Sequence, residues 1–412
     1  MKKAVITGLG VVSPIGLTID EFWANLTAGV SGIERITSFD PSTLDVQIAG
    51  EVKGFDPRLY MSHKEARRMD RFAQFAVAVS KMALDDAAFE ITEHNAADVG
   101  IVMNTGGGGL NQVVDEEHVL IEKGPNRVSP FFVPMMSPNM ASAQPSIQLG
   151  ICGPVITSVA ACAAGTMAMA EALRLIHAGD AEVVIAGGTE SCIKPLSFAG
   201  LDNMHALSTR NDDPAHASRP FDKDRDGFVF GEGAGAVVIE TEEHARARDA
   251  RIYCELAGGA ITGDAFHITA PRPDGEGAVR AMKRALQNAG IGLDELEYIC
   301  AHGTSTPLND ASETNAVKRT FGERAYRIPM SSNKSMVGHL LGAAGAMSTL
   351  NSILTISRGV ISPTINLDTP DPDCDLDYVP NMAREQRVRT AIANGFGFGG
   401  QNAVAAFRAY PS

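Results

Sequence analysis

The sequence predicts an α/β protein, and three observations carry that prediction. Short β-branched runs recur along the chain, most of them ending in glycine: "AVITG", "VGIVMNTGGGG", "AEVVIAGG", "GAVVIET", "EYICAHG" and "RTAIANG". Between them lie alanine- and leucine-rich stretches with helical periodicity, such as "ALRLIHAG" and "AVRAMKRALQNAG", each closing on glycine as helix C-termini often do. Strand and helix alternate to the end of the chain, which is the pattern of layered α/β folds. At 412 residues the chain calls for two domains or two halves of one large unit. A second β-rich start, "RIYCELAGGAITG" from Arg251, suggests where a second half resembling the first begins.

The first strand is expected at Lys3 to Thr7. The opening "MKKAVITGLGVVSPIG" resembles a signal peptide only briefly, because glycines break its apolar run and no small-x-small cleavage site precedes Pro14. Farther on, "HKEARRMDRFAQFAVAVSKMAL" reads as one helix. Lys64, Arg67, Arg68 and Arg71 then fall at i, i+3, i+4 and i+7 and share a face. From Val128 to Ala170 the chain carries no charged residue and no histidine. Prolines at 130, 134, 138, 145 and 154 leave no piece long enough to span a bilayer, so a buried centre or subunit interface is expected there.

Cys162 follows in "VAACAAG". "VITSVA" before it reads as a strand and "AAGTMAMAEALRLIHAG" after it as a helix, so the cysteine is expected at a strand-to-helix turn. Free N–H groups and the positive dipole end there favour thiolate. Ala160, Ala161, Ala163 and Ala164 leave room for a bulky substrate; packing as a small buried apolar residue is the plainer alternative.

Two later motifs are decoys. "DKDRDG" copies the opening of a calcium loop, but its twelfth position is Gly233, Glu232 falls one place early, and a strand follows. Gly395, Gly397 and Gly400 of "GFGFGG" satisfy a dinucleotide pattern, yet no crossover helix follows to receive a pyrophosphate.

Three further segments can carry chemistry. In "AHGTSTPLNDASE", His302 ends a strand, where sites gather in open α/β sheets, with Thr304 and Thr306 beside it. Asp310 and Glu313 are spaced as an N-cap and its capping-box partner. In "SSNKSMVGHLLGAAGA", Lys334 and His339 precede a helix with a small-residue face at Gly338, Gly342 and Ala346. In "NGFGFGG", Phe396 and Phe398 alternate with glycines, so the loop can bend sharply, aim N–H groups at a ligand and swing a ring.

Composition narrows the class. Apolar residues make up 44% and charged residues 20%, as in an ordinary soluble globular protein. A net charge of −14 disfavours nucleic acid, and no membrane association is expected. Six cysteines far apart with no CxxC pair fit neither zinc nor a disulfide framework, and point to a reducing, cytoplasmic setting.

Together the four segments, and "ALSTRNDDPAHASRPFDKDRDGFVFGEGAG" between them, resemble the β-ketoacyl-acyl-carrier-protein synthases, in particular the elongating type of bacteria. The resemblance implies a thiolase-like fold: two similar halves in a five-layer α-β-α-β-α arrangement, usually paired as a homodimer. The nucleophile half would be residues 1–250, and the half with both histidines residues 251–412.

By motif, Cys162 matches the family nucleophile, and His302 and His339 match the catalytic histidines that stabilise an enolate. Lys334 matches the family lysine, with Glu313 as its ion-pair partner. The backbone N–H groups of Cys162 and Phe398 match the oxyanion hole, and the Phe398 ring the gate. Thr304 and Thr306 match residues that grip phosphopantetheine, and Phe396 lies in the same substrate-binding set. Gly107, where relatives carry larger residues, implies a roomy acyl pocket that accepts medium to long chains.

Lys64, Arg67 and Arg68, with Arg127, match positions that dock the acidic carrier protein. The implied reaction is decarboxylative Claisen condensation with malonyl carrier in fatty acid elongation. It needs no resident cofactor or metal, since phosphopantetheine arrives on the carrier. Ser348 stands where many relatives have glutamate, so the resemblance gives no ground for their structural cation.

Four other families share parts of this pattern. A thiolase needs a second cysteine near the C-terminus, and Cys374 lies outside the glycine-rich loop. A chain-starting synthase pairs its histidine with asparagine, and His339 stands in place of it. A non-catalytic partner subunit lacks the nucleophile. A polyketide-type ketosynthase shares the same chemistry and stays open.

Overall fold

The computed structural model describes residues 2–411. Ten strands form one mixed sheet: β1 (Ala4–Val12), β2 (Val99–Asn104), β3 (Val155–Ile156), β4 (Val183–Glu190), β5 (Gly233–Thr241), β6 (Cys254–Gly263), β7 (Tyr298–Cys300), β8 (Met330–Ser331), β9 (Thr390–Gly397) and β10 (Gln401–Arg408). Their order is β8-β7-β9-β10-β6-β1-β5-β4-β2-β3. Outward from the centre the first half runs β1-β5-β4-β2-β3 and the second β6-β10-β9-β7-β8, the same path twice. The halves meet where β1 and β6 pair antiparallel, Val5 opposite Glu255 and Ile6 opposite Cys254. β1, β4 and β5 are buried at every position, which explains their unbroken apolar runs.

The helices that place the site are α1 (His63–Ala66), α2 (Arg71–Asp86), α3 (Leu110–Lys123), α4 (Ala164–Ala178), α5 (Glu276–Ala289), α6 (Pro307–Phe321) and α7 (Ala344–Arg358). α4 and α7 pack on each other and touch strands of both halves, so they form a central layer between two half-sheets. α2 covers the outer face of the first half-sheet, and α5 with α6 that of the second. These are the five layers expected. Three apolar clusters fill the gaps, the largest around α4 and α7.

The central helices approach closely because glycines meet at the crossing. A methyl group on Gly165 would sit 2.6 Å from Ala346 N, and one on Gly345 2.2 Å from Thr166 N. Each helix is preceded by a one-turn segment, Ala161–Ala163 or Leu341–Ala343, and each closes on a left-handed glycine, Gly179 or Gly359. Both turns open on a non-glycine residue with positive φ, 45° at Ala161 and 43° at Leu341.

Two expected elements differ. The single helix from residue 63 to 84 is broken after Ala66, because Asp70 caps a new helix. Its buried carboxylate accepts the N–H of Phe72 at 3.4 Å and of Gln112 at 3.1 Å. Arg71 therefore leaves the basic face and forks onto Glu232, Nη2 to Oε1 at 2.9 Å. The strand expected before Cys162 is only Val155–Ile156.

Candidate active site

Cys162 lies in the Ala161–Ala163 turn ahead of α4, 5% exposed. The backbone N–H groups of Phe398 and of Cys162 itself favour the charged form of its thiol, as does Lys334. Burial nevertheless pushes the thiol up to about 12, against the opposing pull of Lys334 and those N–H groups. The thiolate expected from the helix dipole is corrected on this point: desolvation outweighs the dipole, and the resting group is a thiol.

A cavity of about 340 Å³ connects the segments singled out above. Cys162, His302, His339, Thr304, Thr306, Phe396 and Phe398 all line it. The two imidazoles stand edge to face, centroids 5.5 Å apart at 84°. Phe396 flanks His302 at 5.6 Å and Phe228 flanks His339 at 5.1 Å. Burial first, then the charge of Lys334, drives both imidazoles well below their ordinary 6.5. They are neutral near pH 7, each with one N–H to donate.

His302 is set by Glu313, whose carboxylate accepts the N–H of His302 at 2.9 Å, the N–H of Gly303 at 2.8 Å and Asn394 Nδ2 at 2.9 Å. Glu313 is thus a backbone clamp rather than the direct ion-pair partner implied for Lys334. Lys334 is 1% exposed, and among the described residues its Nζ has no hydrogen-bond partner. Burial lowers its pKa, opposed by the charges of Cys300 and Glu313. The capping box expected at Asp310 and Glu313 is also absent. Thr306 caps α6, with Pro307 in its first turn, and Asp310 is buried inside the helix.

Thr304 and Thr306 hydroxyls are paired at 2.9 Å on the cavity wall. Phe398 begins a turn through Gly399 (φ 80°) between β9 and β10, so the glycine-rich loop is the bend of a hairpin and not a nucleotide cradle. Gly107 lies outside the cavity. Its N–H reaches the Glu190 carboxylate at 3.2 Å, and a methyl group there would meet Cys192 Sγ at 2.8 Å. The acyl-pocket role implied for Gly107 draws no support from this cavity, whose lining does not include it.

Lys64, Arg67, Arg68 and Arg127 are exposed. Arg68 stacks over the Phe131 ring at 4.6 Å, four residues after Arg127, so both basic segments lie on one side of the molecule. Ser348 is buried in α7. Among the described residues no three of His, Cys, Asp and Glu are grouped to hold a metal. No helix there is long and apolar enough to cross a membrane. A larger groove of about 1,240 Å³, around Arg71, Asp115, Lys194 and Glu232, contains none of the three reactive side chains.

Sequence reasoning missed several residues. Glu190, fully buried at the end of β4, accepts N–H groups of Gly106 at 2.8 Å and Gly342 at 3.0 Å, tying the two halves together beside the site. Leu341, Phe228 and Asn402 also line the cavity. Glu190 follows a buried strand with glycines before it, a weak signal; Phe228 and Asn402 carry none.

Residues 1–245 match the model of the beta-ketoacyl synthase N-terminal domain, and residues 253–368 that of the C-terminal domain. The chain is 51% identical to a 3-oxoacyl-[acyl-carrier-protein] synthase 2 of Synechocystis over 99% of this chain and 98% of the relative. It is 49% identical to one of Coxiella burnetii over 97% of each. Among solved structures it is similar to a beta-ketoacyl synthase from Burkholderia phymatum (35% identity, TM-score 0.93, covering 100% of both chains). It is similar also to a type II polyketide ketosynthase solved with its acyl-carrier protein and a bound hexaketide (34% identity, TM-score 0.92, covering 100% of both chains). With both domain models matched and half of its residues shared with full-length relatives, the chain belongs to the beta-ketoacyl synthase family.

Proposed function

We propose that the chain is an acyltransferase of fatty acid elongation, joining a Cys162-bound acyl group to a malonyl unit with loss of carbon dioxide to give a 3-oxoacyl thioester on the carrier. One observation carries this: a buried thiol, two neutral imidazoles and two backbone N–H donors converge on one cavity. Identities of 51% and 49% to relatives named 3-oxoacyl-[acyl-carrier-protein] synthase 2, against 34% to a type II polyketide ketosynthase, support elongation over the polyketide reading.

In the first step Cys162 sulfur attacks the acyl thioester carbonyl, its proton passes to a neutral imidazole, and the imidazolium hands that proton to the departing sulfur, so the carrier leaves as a free thiol and the imidazole is neutral again. The N–H groups of Cys162 and Phe398 hold the tetrahedral oxyanion; losing one such donor costs on the order of a hundredfold in rate. In the second step a malonyl thioester loses carbon dioxide, and its enolate oxygen accepts hydrogen bonds from His302 and His339. The enolate carbon attacks the Cys162 thioester, the carbon–sulfur bond breaks, the 3-oxoacyl product stays on the carrier, and the released thiolate takes a proton from water. Lys334 biases both imidazoles toward the neutral form that this step uses.

Thr304 and Thr306 receive the phosphopantetheine arm, with Phe398 as the gate and Phe396 beside His302. The arm comes on the carrier, so no resident cofactor is invoked. An acidic carrier protein docks on Lys64, Arg67, Arg68 and Arg127, steered by charge. A second copy of the chain covers the free β3 edge. Val133, Ile147, Val155 and Val159 are 65%, 69%, 42% and 52% exposed in the charge-free stretch beside it. Six free cysteines support a cytoplasmic setting.

Intact-mass analysis after incubation with acyl carriers of several lengths tests the reaction. A single acyl adduct lost in Cys162→Ala is expected; an adduct elsewhere, or none, would overturn it.

A further inference from the structure

The segment from Ser218 to Gly227 contains the false calcium loop, and in the fold it wraps the turn bearing His302, Thr304 and Thr306. That turn is unfavourable by itself: Gly303 (φ 36°) and Ser305 (φ 71°) are both left-handed, and Ser305 has no glycine's freedom. Its geometry is imposed from outside. Ser305 Oγ accepts the N–H of Arg219 at 2.9 Å, and Ser305 O that of Gly227 at 3.2 Å. Asp310 bridges the two segments, accepting the N–H of Phe221 at 2.8 Å and of Thr304 at 3.0 Å.

Arg225 completes the clasp from beneath. Its side chain is 5% exposed. Nε donates to Thr306 O at 3.3 Å, Nη2 to Pro307 O at 3.2 Å and Nη1 to Asp222 O at 2.6 Å. Asp371 also binds Nη1, and Asp310 Oδ2 lies 3.7 Å from Nε. A planar fork can serve these acceptors at once, whereas an ammonium cannot. Arg225 is not on the cavity wall.

We propose that Arg225 is a positioning residue that fixes the Thr304–Pro307 turn, so that the two threonine hydroxyls meet the pantetheine arm of an incoming thioester. The inference rests on reading those threonines as arm contacts. Arg225 touches no reacting atom, so its loss should weaken substrate capture and leave the nucleophile itself intact.

Arg225→Lys is compared with the parent for KM and kcat on malonyl- and acyl-pantetheine, and for Cys162 alkylation by iodoacetamide, which carries no arm. The expected result is a KM raised about tenfold with alkylation within about twofold of the parent. In Arg225→Ala, millimolar guanidinium should restore KM in part. An unchanged KM overturns the inference, as does a KM that rises only in step with lost alkylation. Should neither variant fold, Asp371→Asn, which frees one side of the guanidinium, should raise KM to a smaller extent, and an unchanged KM again overturns it. Thr304→Ala and Thr306→Val separate the two layers. If both keep the parent KM, the arm reading falls and takes the inference with it. If they raise KM and Arg225→Lys does not, the inference alone falls.

Discussion

Gly345→Ala tests the close crossing of the central helices. The added methyl would lie 2.2 Å from Thr166 N, 2.4 Å from Thr166 Oγ1 and 2.8 Å from Gly165 C. Two of these are backbone atoms of α4, so no side-chain rotation relieves them. Relative to an ordinary contact of 3.4 Å, the helices must part by about 1.2 Å. Overpacking of this kind costs about 1–3 kcal/mol, and the immovable neighbours place it near the top. Alanine in a helix returns about 1 kcal/mol over glycine, leaving a net loss of about 2 kcal/mol. The melting midpoint should fall by a few degrees. Thr166 is in the first turn of α4, next to Cys162, and a displacement of about 1 Å there can cost roughly a hundredfold in turnover. The assay pairs thermal unfolding by circular dichroism with the initial rate of condensation. Gly200→Ala is the control, since Gly200 is helical and a methyl there meets nothing within 4 Å; it should be neutral or slightly stabilising. If Gly345→Ala melts and turns over like the parent, α4 and α7 do not meet backbone to backbone and the close packing is wrong.

Acidification should destabilise the fold through the two imidazoles. In the unfolded chain each titrates near 6.5, and in the fold each stays neutral well below that. Below 6.5 the unfolded chain therefore binds protons that the fold refuses, so the melting temperature should drop from about pH 7 to about pH 5. The drop should shrink in His302→Asn/His339→Asn; an equal drop would exclude these residues as its source. Reversing two exposed charges, Arg67→Glu with Arg68→Glu, should raise KM for an acyl carrier roughly tenfold, and less at high salt. A small acyl thioester should be unaffected, and equal effects on both substrates would rule docking out. Ile147→Glu with Val133→Lys should shift the sedimentation velocity profile from dimer toward monomer, and an unchanged profile would remove this surface as the interface.

The fold was legible wherever local pattern and burial agreed. β4 and β5 are buried on both faces, so their runs are apolar without interruption, and the glycines closing α4 and α5 stand at left-handed positions. The break in the basic helix is hidden because a run of good helix formers from His63 to Leu84 conceals Asp70, which caps Phe72 locally but is anchored by a second donor, Gln112, remote in sequence. The reactive trio was legible from motif and from strand ends. The charge state of Cys162 was not, because burial is a property of the assembled layers and overrides the local helix dipole. Glu313 shows the same limit: its spacing suggested a cap or an ion pair, and only the fold shows three N–H donors waiting for it.

The internal repeat explains why one cysteine suffices. Ala163, Ala164, Gly165 and Met167 recur as Ala343, Ala344, Gly345 and Met347, and the turns before them open on residues of similar positive φ, Ala161 and Leu341. Position for position, Gly342 is the counterpart of Cys162. A side chain at Gly342 would have no room, since a methyl group there would lie 2.3 Å from Gly106 N and 2.6 Å from Thr105 C. Gly342 instead gives its N–H to Glu190 at 3.0 Å. Its turn is thereby pulled against the first half, and Leu341 and His339 are brought to the cavity that Cys162 opens. The two halves thus apply one turn to two ends. In the first it presents a sulfur; in the second it surrenders its side chain so that the backbone can close on the other half and deliver an imidazole. The cavity is a product of that asymmetry, and neither half by itself contains a site.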